Sequence, residues 1–205
     1  MTLLDESAQK RVAAAIAEAE LETDAELVTV LAPQSDDYTY IPLLWAGVAA
    51  LLLPGLINYY PGWLNAHQLL LAQWATFIVL GLLFRIPALT TRLVPRRVRH
   101  WRAANMARRQ FLERKLHHTQ GGTGMLIFVS EAERYVEILV DEGISSRVGD
   151  DTWNAIVEAF TTRVKRGETM EGFVGCIQAC CEVLREHVPV THPRNELPDR
   201  LVVLG

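Results

Sequence analysis

Between Tyr38 and Phe84 the chain carries no Asp, Glu, Lys or Arg, although the residues on either side are densely charged. Inside this gap lie two apolar runs, Ile41–Ile57 (IPLLWAGVAALLLPGLI) and Leu69–Phe84 (LLLAQWATFIVLGLLF), joined by NYYPGWLNAHQ. A bilayer core about 30 Å thick needs roughly 17–25 apolar helical residues, so each run is long enough once its uncharged flanks are counted. Lipid also requires every backbone group to be bonded within its own segment, which selects helices. Tyr38, Tyr40, Tyr59, Tyr60 and Trp63 stand at the run ends, where an interfacial aromatic belt places them. The alternative is a helical hairpin buried in a soluble core. The uncharged pair with its aromatic ends favours two membrane spans. Pro42 falls in a first turn, and Pro54 is tolerable in a spanning helix.

Orientation follows from the arginines. Arg85, Arg92, Arg96, Arg97, Arg99, Arg102, Arg108 and Arg109 follow the second run, whereas the connecting loop Asn58–Gln68 has no Lys or Arg. Basic residues near span ends stay on the cytoplasmic side, so the loop is expected outside and both termini in the cytoplasm of an inner membrane. The net charge of −4 hides an asymmetry: Arg96–His118 is basic, and the stretch from Glu131 to Asp151 is acidic. Beside a span, the basic segment Arg96–Arg109 suits anionic lipid headgroups, at about 1 kcal/mol per basic residue near the surface. A nucleic-acid site wants aromatics interleaved with the basic residues. Here only Trp101 and Phe111 are available, and both are assigned to the apolar helix face, so no nucleic acid is expected. Docking of a protein partner stays open.

Met1–Leu21 lacks the basic start and apolar core of a cleavable signal peptide. Cys176, Cys180 and Cys181 crowd one helical stretch, so they cannot staple distant loops, and their use fits a reducing compartment. Cys-x3-Cys-Cys is not a zinc-ligand spacing, so packing in a core is the expected role.

Along the chain, Asp5 is placed to cap a helix carrying Val12, Ile16 and Ala19 to about Leu21, and Glu26–Leu31 reads as a strand. After the hairpin, Val98, Trp101, Ala104, Ala107 and Phe111 are expected to form the apolar face of an Arg-rich helix, which the glycines of 120–124 break. Met125–Ser130 and Tyr135–Val140 read as strands joined by a turn at Glu131–Arg134. Asp150 or Asp151 is expected to cap a helix to about Arg166 that Gly167 closes. A last helix carries Phe173, Ile177, Cys180, Leu184 and Val188, and the tail Pro189–Gly205 reads as a docked strap or edge strand. The fold class is α/β: a small α/β sandwich with a mixed β-sheet, interrupted after its first strand by a two-helix transmembrane hairpin. The expected division is 1–37 and 87–188 for the two parts of the soluble domain, 38–86 for the hairpin and 189–205 for the tail.

Several stretches together resemble the TPM domain, the family of the plant thylakoid lumen phosphatase-like proteins and of many bacterial membrane-anchored proteins. They are Thr23–Val30 (TDAELVTV), Gly122–Ser130 (GTGMLIFVS) and Tyr135–Ile144 (YVEILVDEGI). The tail Asn195–Asp199 (NELPD) and the hairpin placed after the first strand make a bacterial membrane-anchored branch look especially similar. The hairpin turn and the loop after it are Asp-rich and Gly-Tyr-Gly-like in the plant members; this chain has Ser130-Glu131-Ala132-Glu133-Arg134 and Asp141-Glu142-Gly143 there. The resemblance implies an α/β fold and, for some relatives, phosphatase activity with divalent ions.

The acids at strand ends and helix starts are the site candidates. Asp141 leads, because Gly143 would let a ligand approach the backbone, and Glu26, Glu131 and Asp150 follow. A hard cation such as Ca2+ or Mg2+ wants several converging oxygens. The same acids read as solvated turn residues and helix caps need no ligand. Gly121-Gly122-Thr123-Gly124 precedes a strand and lacks the Lys of a P-loop, so it reads as a turn, and His117-His118 point to different sides of a helix. No Ser–His–Asp or Cys–His set is present. The functional expectation is a non-enzymatic binding or assembly module at the cytoplasmic membrane face; the alternative is a divalent-ion-dependent phosphatase. Acids converging on one cleft favour the second, and acids scattered over turns the first.

Overall fold

A computed structural model describes residues 6–38, 40–59, 62, 64–84, 86, 94–191 and 200–204. Its elements are α1 (Glu6–Glu20), β1 (Glu26–Ala32), α2 (Tyr40–Tyr59), α3 (Ala66–Leu83), α4 (Arg96–Glu113), a 3-10 turn (Leu116–His118), β2 (Gly124–Ser130), β3 (Tyr135–Val140), α5 (Glu142–Ser145), α6 (Asp150–Lys165), α7 (Thr169–His187) and β4 (Arg200–Val203). Asp5, Tyr60, Trp63, Arg85, Arg92 and the stretch 195–199, all of which figure in the reading above, lie outside the described residues. The chain divides into two compact units, one made of 1–35 with 100–205 and the other of 36–99.

In the first unit a four-stranded mixed sheet runs in the order β3-β2-β1-β4. β1 pairs in parallel with β2, from Glu26↔Gly124 to Ala32↔Ser130, and with β4; β2 and β3 form the expected antiparallel hairpin. Parallel neighbours need a crossover, and here the crossover from β1 to β2 contains the whole apolar insertion. β1 and β2 are buried along their full length, in keeping with their largely apolar sequences. Strand alternation divides their side chains between two layers. Leu27, Leu31, Met125, Ile127 and Val129 meet Ile16, Phe160, Phe173, Ile177 and Leu184 in one core cluster. Val28, Val30, Leu126 and Phe128 meet Ala103, Ala107 and Leu116 in the other. The small α/β sandwich with a mixed sheet is therefore the architecture observed, and β4 makes the end of the tail an edge strand.

Helix α7 buries Phe173, Ile177, Cys180, Leu184 and Val188 at the expected spacing, and Gly167, at φ 84°, ends α6. There Gly167 N–H donates to Val164 O and Glu168 N–H to Arg163 O, the paired bonds of a Schellman motif. Two expectations are corrected. The N-cap of α6 is Gly149, so Asp150 and Asp151 are exposed acids of the first turn, favoured there by the helix dipole. In α4 the buried stripe is Ala103, Ala107 and Gln110, and Trp101 is 57% exposed. Small alanines let the helix sit close to the sheet, and a bulky indole does not fit beneath it.

The second unit holds α2 and α3 packed side by side. The buried residues of α2 are Pro42, Ala46, Ala50 and Pro54, spaced by four, and Gly47 stands next to Phe77 of α3. Small residues at this spacing let two apolar helices approach closely. Near the ends of the two helices, Asn58 accepts from Leu64 N–H (2.8 Å) and donates to Leu64 O (3.2 Å). Asn65 and Gln68 form a reciprocal capping box at the start of α3 (2.9 and 3.0 Å).

A Cβ added at Gly124 would fall 2.1 Å from Leu116 O, which is backbone and cannot swing away. Gly124→Ala is expected to cost at least about 2 kcal/mol. Gly149→Ala, in open space, is expected to cost under about 1 kcal/mol. Thermal and urea unfolding of the detergent-solubilised full chain measures both; equal losses would show that the close approach at Gly124 is not a constraint.

Candidate functional site

A polar concavity opens where β1 begins. Thr23 bridges Pro189 in antiparallel fashion, and Asp24 N–H donates to Val188 O (3.3 Å), so the entry to β1 is laced to the end of α7. Thr123 reaches across: its Oγ1 donates to Asp24 O (2.9 Å), its N–H to Thr119 Oγ1 (2.9 Å), and its carbonyl accepts Glu26 N–H (3.1 Å). These connections leave a cavity of about 410 Å³ lined by Asp24, Glu26, Thr119, Thr123, Arg147 and Thr191 among others. That volume lies in the range of small-ligand pockets. Asp24 is engaged by Thr191, whose N–H donates to its carboxylate at 2.8 Å and whose hydroxyl also donates to it. Arg147 donates to His187 O (2.8 Å). Two carboxylates and one guanidinium thus share the rim of a single cleft.

Of the four acids singled out in the sequence, Glu26 alone lines this cleft. Asp141 caps α5, accepting from Glu142 N–H at 2.9 Å. The glycine two residues on serves the chain itself: Gly143 N–H donates to Gly122 O (2.9 Å), and a Cβ at 143 would meet Gly121 O at 2.1 Å. The room beside Asp141 is therefore taken by the 121–122 backbone. Glu131 lies in the β2–β3 turn at the other end of the hairpin, and Asp150 in the first turn of α6. Among the described residues, no three His, Cys, Asp or Glu side chains converge to hold a metal ion.

Two acids passed over in the sequence are structurally prominent. Glu133 is 2% exposed. Its carboxylate accepts Ser35 N–H (3.2 and 3.1 Å) and the Ser130 hydroxyl, and Ser35 Oγ donates to Ser130 Oγ at 2.8 Å. This latch fixes the residue from which the chain departs toward the hairpin. Nothing local to a β-turn signals a buried Glu, because its partner Ser35 is distant in sequence. Glu137 projects from edge strand β3 on the α4 side, beside Tyr135. Burial holds its carboxyl above the ordinary value, partly offset by the Tyr135 hydrogen bond and by the Arg108 charge. Burial likewise raises the Tyr135 phenol, helped by the neighbouring Glu137 charge.

The three cysteines are free and buried on α7. The hydrogen bond with Cys176, then burial, raises the Cys180 thiol, and burial raises Cys181, so these two are poor thiolates. Core packing accounts for them.

The comparisons with known proteins fit this architecture. Residues 93–183 match the family model of the TPM domain, so the chain is similar to that family over this stretch. The matched stretch contains α4 through most of α7 and begins after the apolar insertion. The NMR structure of BA42 protein from the psychrophilic bacterium Bizionia argentinensis superposes with a TM-score of 0.61 at 18% identity, covering 98% of this chain and 94% of that one. At that identity the likeness is one of fold. No curated protein matches the chain.

Glu137 gives a signed pH expectation. A carboxyl raised above its unfolded value contributes stability that is present below the unfolded value and lost as the pH rises through the folded one. Glu137→Gln is therefore expected to raise the Tm at pH 7, and the advantage should vanish below about 4.5, the ordinary value. A scan of Tm against pH checks this; a gain that persists unchanged at low pH would remove desolvation as the cause. Asp141→Ala should cost about 1 kcal/mol, as loss of a cap does, and should leave Ca2+ and Mg2+ titrations by calorimetry unchanged.

Proposed function

We propose that the chain is a membrane-tethered TPM module that binds or assembles a partner at the cytoplasmic face of an inner membrane. The observation that carries the tether is the surface of the hairpin. Helix α3 has no buried residue along its 18 residues, and Leu70, Trp74, Ile78 and Leu82 are each more than half exposed. Helix α2 buries only its small-residue and proline stripe, while Leu51, Leu56 and Ile57 are exposed. Both helices are long and apolar enough to cross a membrane. A core helix of a soluble protein would instead be covered by its neighbours. Lipid is the solvent in which such a surface is stable. The arginines after the second apolar run support a topology with the loop Asn58–Gln68 outside and both termini in the cytoplasm.

Binding is favoured over catalysis by the duties the acids already have. Asp141 caps a helix, Glu133 latches a turn, Asp24 holds Thr191, and Glu131 and Asp150 stand on separate turns. The phosphatase reading keeps one support, the cleft where Asp24, Glu26 and Arg147 meet. There two carboxylates would hold Ca2+ or Mg2+ and the guanidinium a phosphoryl oxygen.

Full-length protein in lipid nanodiscs, given phosphomonoesters with Ca2+ or Mg2+, is expected to release no phosphate above the protein-free rate. Ion-dependent turnover that disappears in Glu26→Gln would overturn the binding reading and establish the phosphatase. For the tether, the chain is expected to stay in the membrane pellet after alkaline carbonate washing; its release would rule out spanning helices.

A further inference from the structure

Helix α4 carries six arginines against a single acid, Glu113. Its buried stripe (Ala103, Ala107, Gln110) fixes which residues face outward. Opposite that stripe, at helical spacing, stand Trp101, Asn105, Arg108 and Leu112, with Arg102 and Arg109 beside them. Trp101 and Leu112 are each 57% exposed. The Arg102 guanidinium lies 5.1 Å from the centre of the Trp101 ring, a cation–π distance. Arg109 pairs with Glu113 at 2.7 Å, while exposed Arg108 reaches Asn105 at 3.5 Å and lends its charge to Glu137. The outward face therefore carries one indole and one leucine, about three turns apart, with guanidinium groups between them.

We infer that this outward face of α4 rests on an anionic lipid surface, Trp101 and Leu112 entering the headgroup region while Arg102 and Arg108 hold lipid phosphates. The chemistry is that of an interfacial helix: an amphipathic aromatic at headgroup depth, flanked by cations that anionic lipid attracts. The surface is within reach, because only residues 84–95 separate the end of α3 from the start of α4. The inference rests on the membrane tether proposed above. It adds a second, charge-dependent contact that presses the TPM module to the bilayer and limits how it can meet a partner.

The test uses full-length protein with a nitroxide at Asn105→Cys, reconstituted in vesicles of phosphatidylcholine alone or with phosphatidylserine added. A second label, at Ala75→Cys in mid-α3, reports the hairpin separately. In serine-containing vesicles the label at 105 is expected to become several-fold less accessible to an aqueous nickel complex. That protection should be lost at high salt and in the Arg102→Glu/Arg108→Glu double variant, and Trp101→Ala should make the label shallower. Equal accessibility in both lipids, with the label at 75 shielded in each, would overturn the inference and leave the tether standing. Nickel access at 75 in both lipids would remove the tether, and the inference with it. A single-stranded oligonucleotide that protects position 105 in neutral vesicles, where serine lipid does not, would reassign the face to nucleic acid.

Discussion

The parallel pairing of β1 with β2 is the constraint on which the rest of the structure depends. The two strands supply the middle of the sheet, yet they stand about a hundred positions apart, with the whole charge-free insertion between them. Closing a flexible loop of that length costs on the order of 4 kcal/mol in chain entropy. The apolar helices reduce the number of free residues by packing against each other, so that much of the crossover is already ordered. β4 then pairs on the far side of β1, and α1 and α7 cover one face of the sheet while α4 covers the other. None of these layers has a surface to pack on until the central pair forms.

Polar groups finish what the apolar core begins. At one end of β1 the Glu133 latch binds Ser35 and Ser130, fixing the exit toward the hairpin. At the other end Thr23, Asp24 and Thr123 tie the strand's entry to α7 and to the glycine loop, and this lacing leaves the cleft where Asp24, Glu26 and Arg147 meet. Buried polar groups with partners specify a register more sharply than apolar contacts do, because a slip leaves them unsatisfied. The same economy explains why acids that resemble ligands in the sequence act as caps and latches in the fold.

Helix α4 joins these themes. Its alanines face the sheet and its tryptophan faces away, the reverse of what hydrophobicity alone suggests for Trp101. A large amphipathic side chain left outside among arginines is what the lipid contact proposed above would use. In this reading one helix serves two surfaces, the underside of the sheet through Ala103 and Ala107 and the bilayer through Trp101.

Patterns confined to one element were legible in the sequence, because each depends only on neighbours along the chain. The uncharged runs gave α2 and α3, an apolar-rich run of strand length gave β3 at Tyr135–Val140, and the three-four spacing of Phe173 to Val188 gave the buried stripe along α7. What required tertiary structure was every choice between faces and partners. That Glu133 is buried depends on Ser35, and that Glu26 shares a cleft with Arg147 depends on α7 closing over β1. That Asp141 caps a helix follows from the 121–122 backbone filling the space beside Gly143. The sequence determined which segments are helix, strand and charge-free, since periodicity and charge act locally. Which acids meet, and which side of α4 is free, was decided only when the sheet closed, since those contacts join residues that the chain itself keeps far apart.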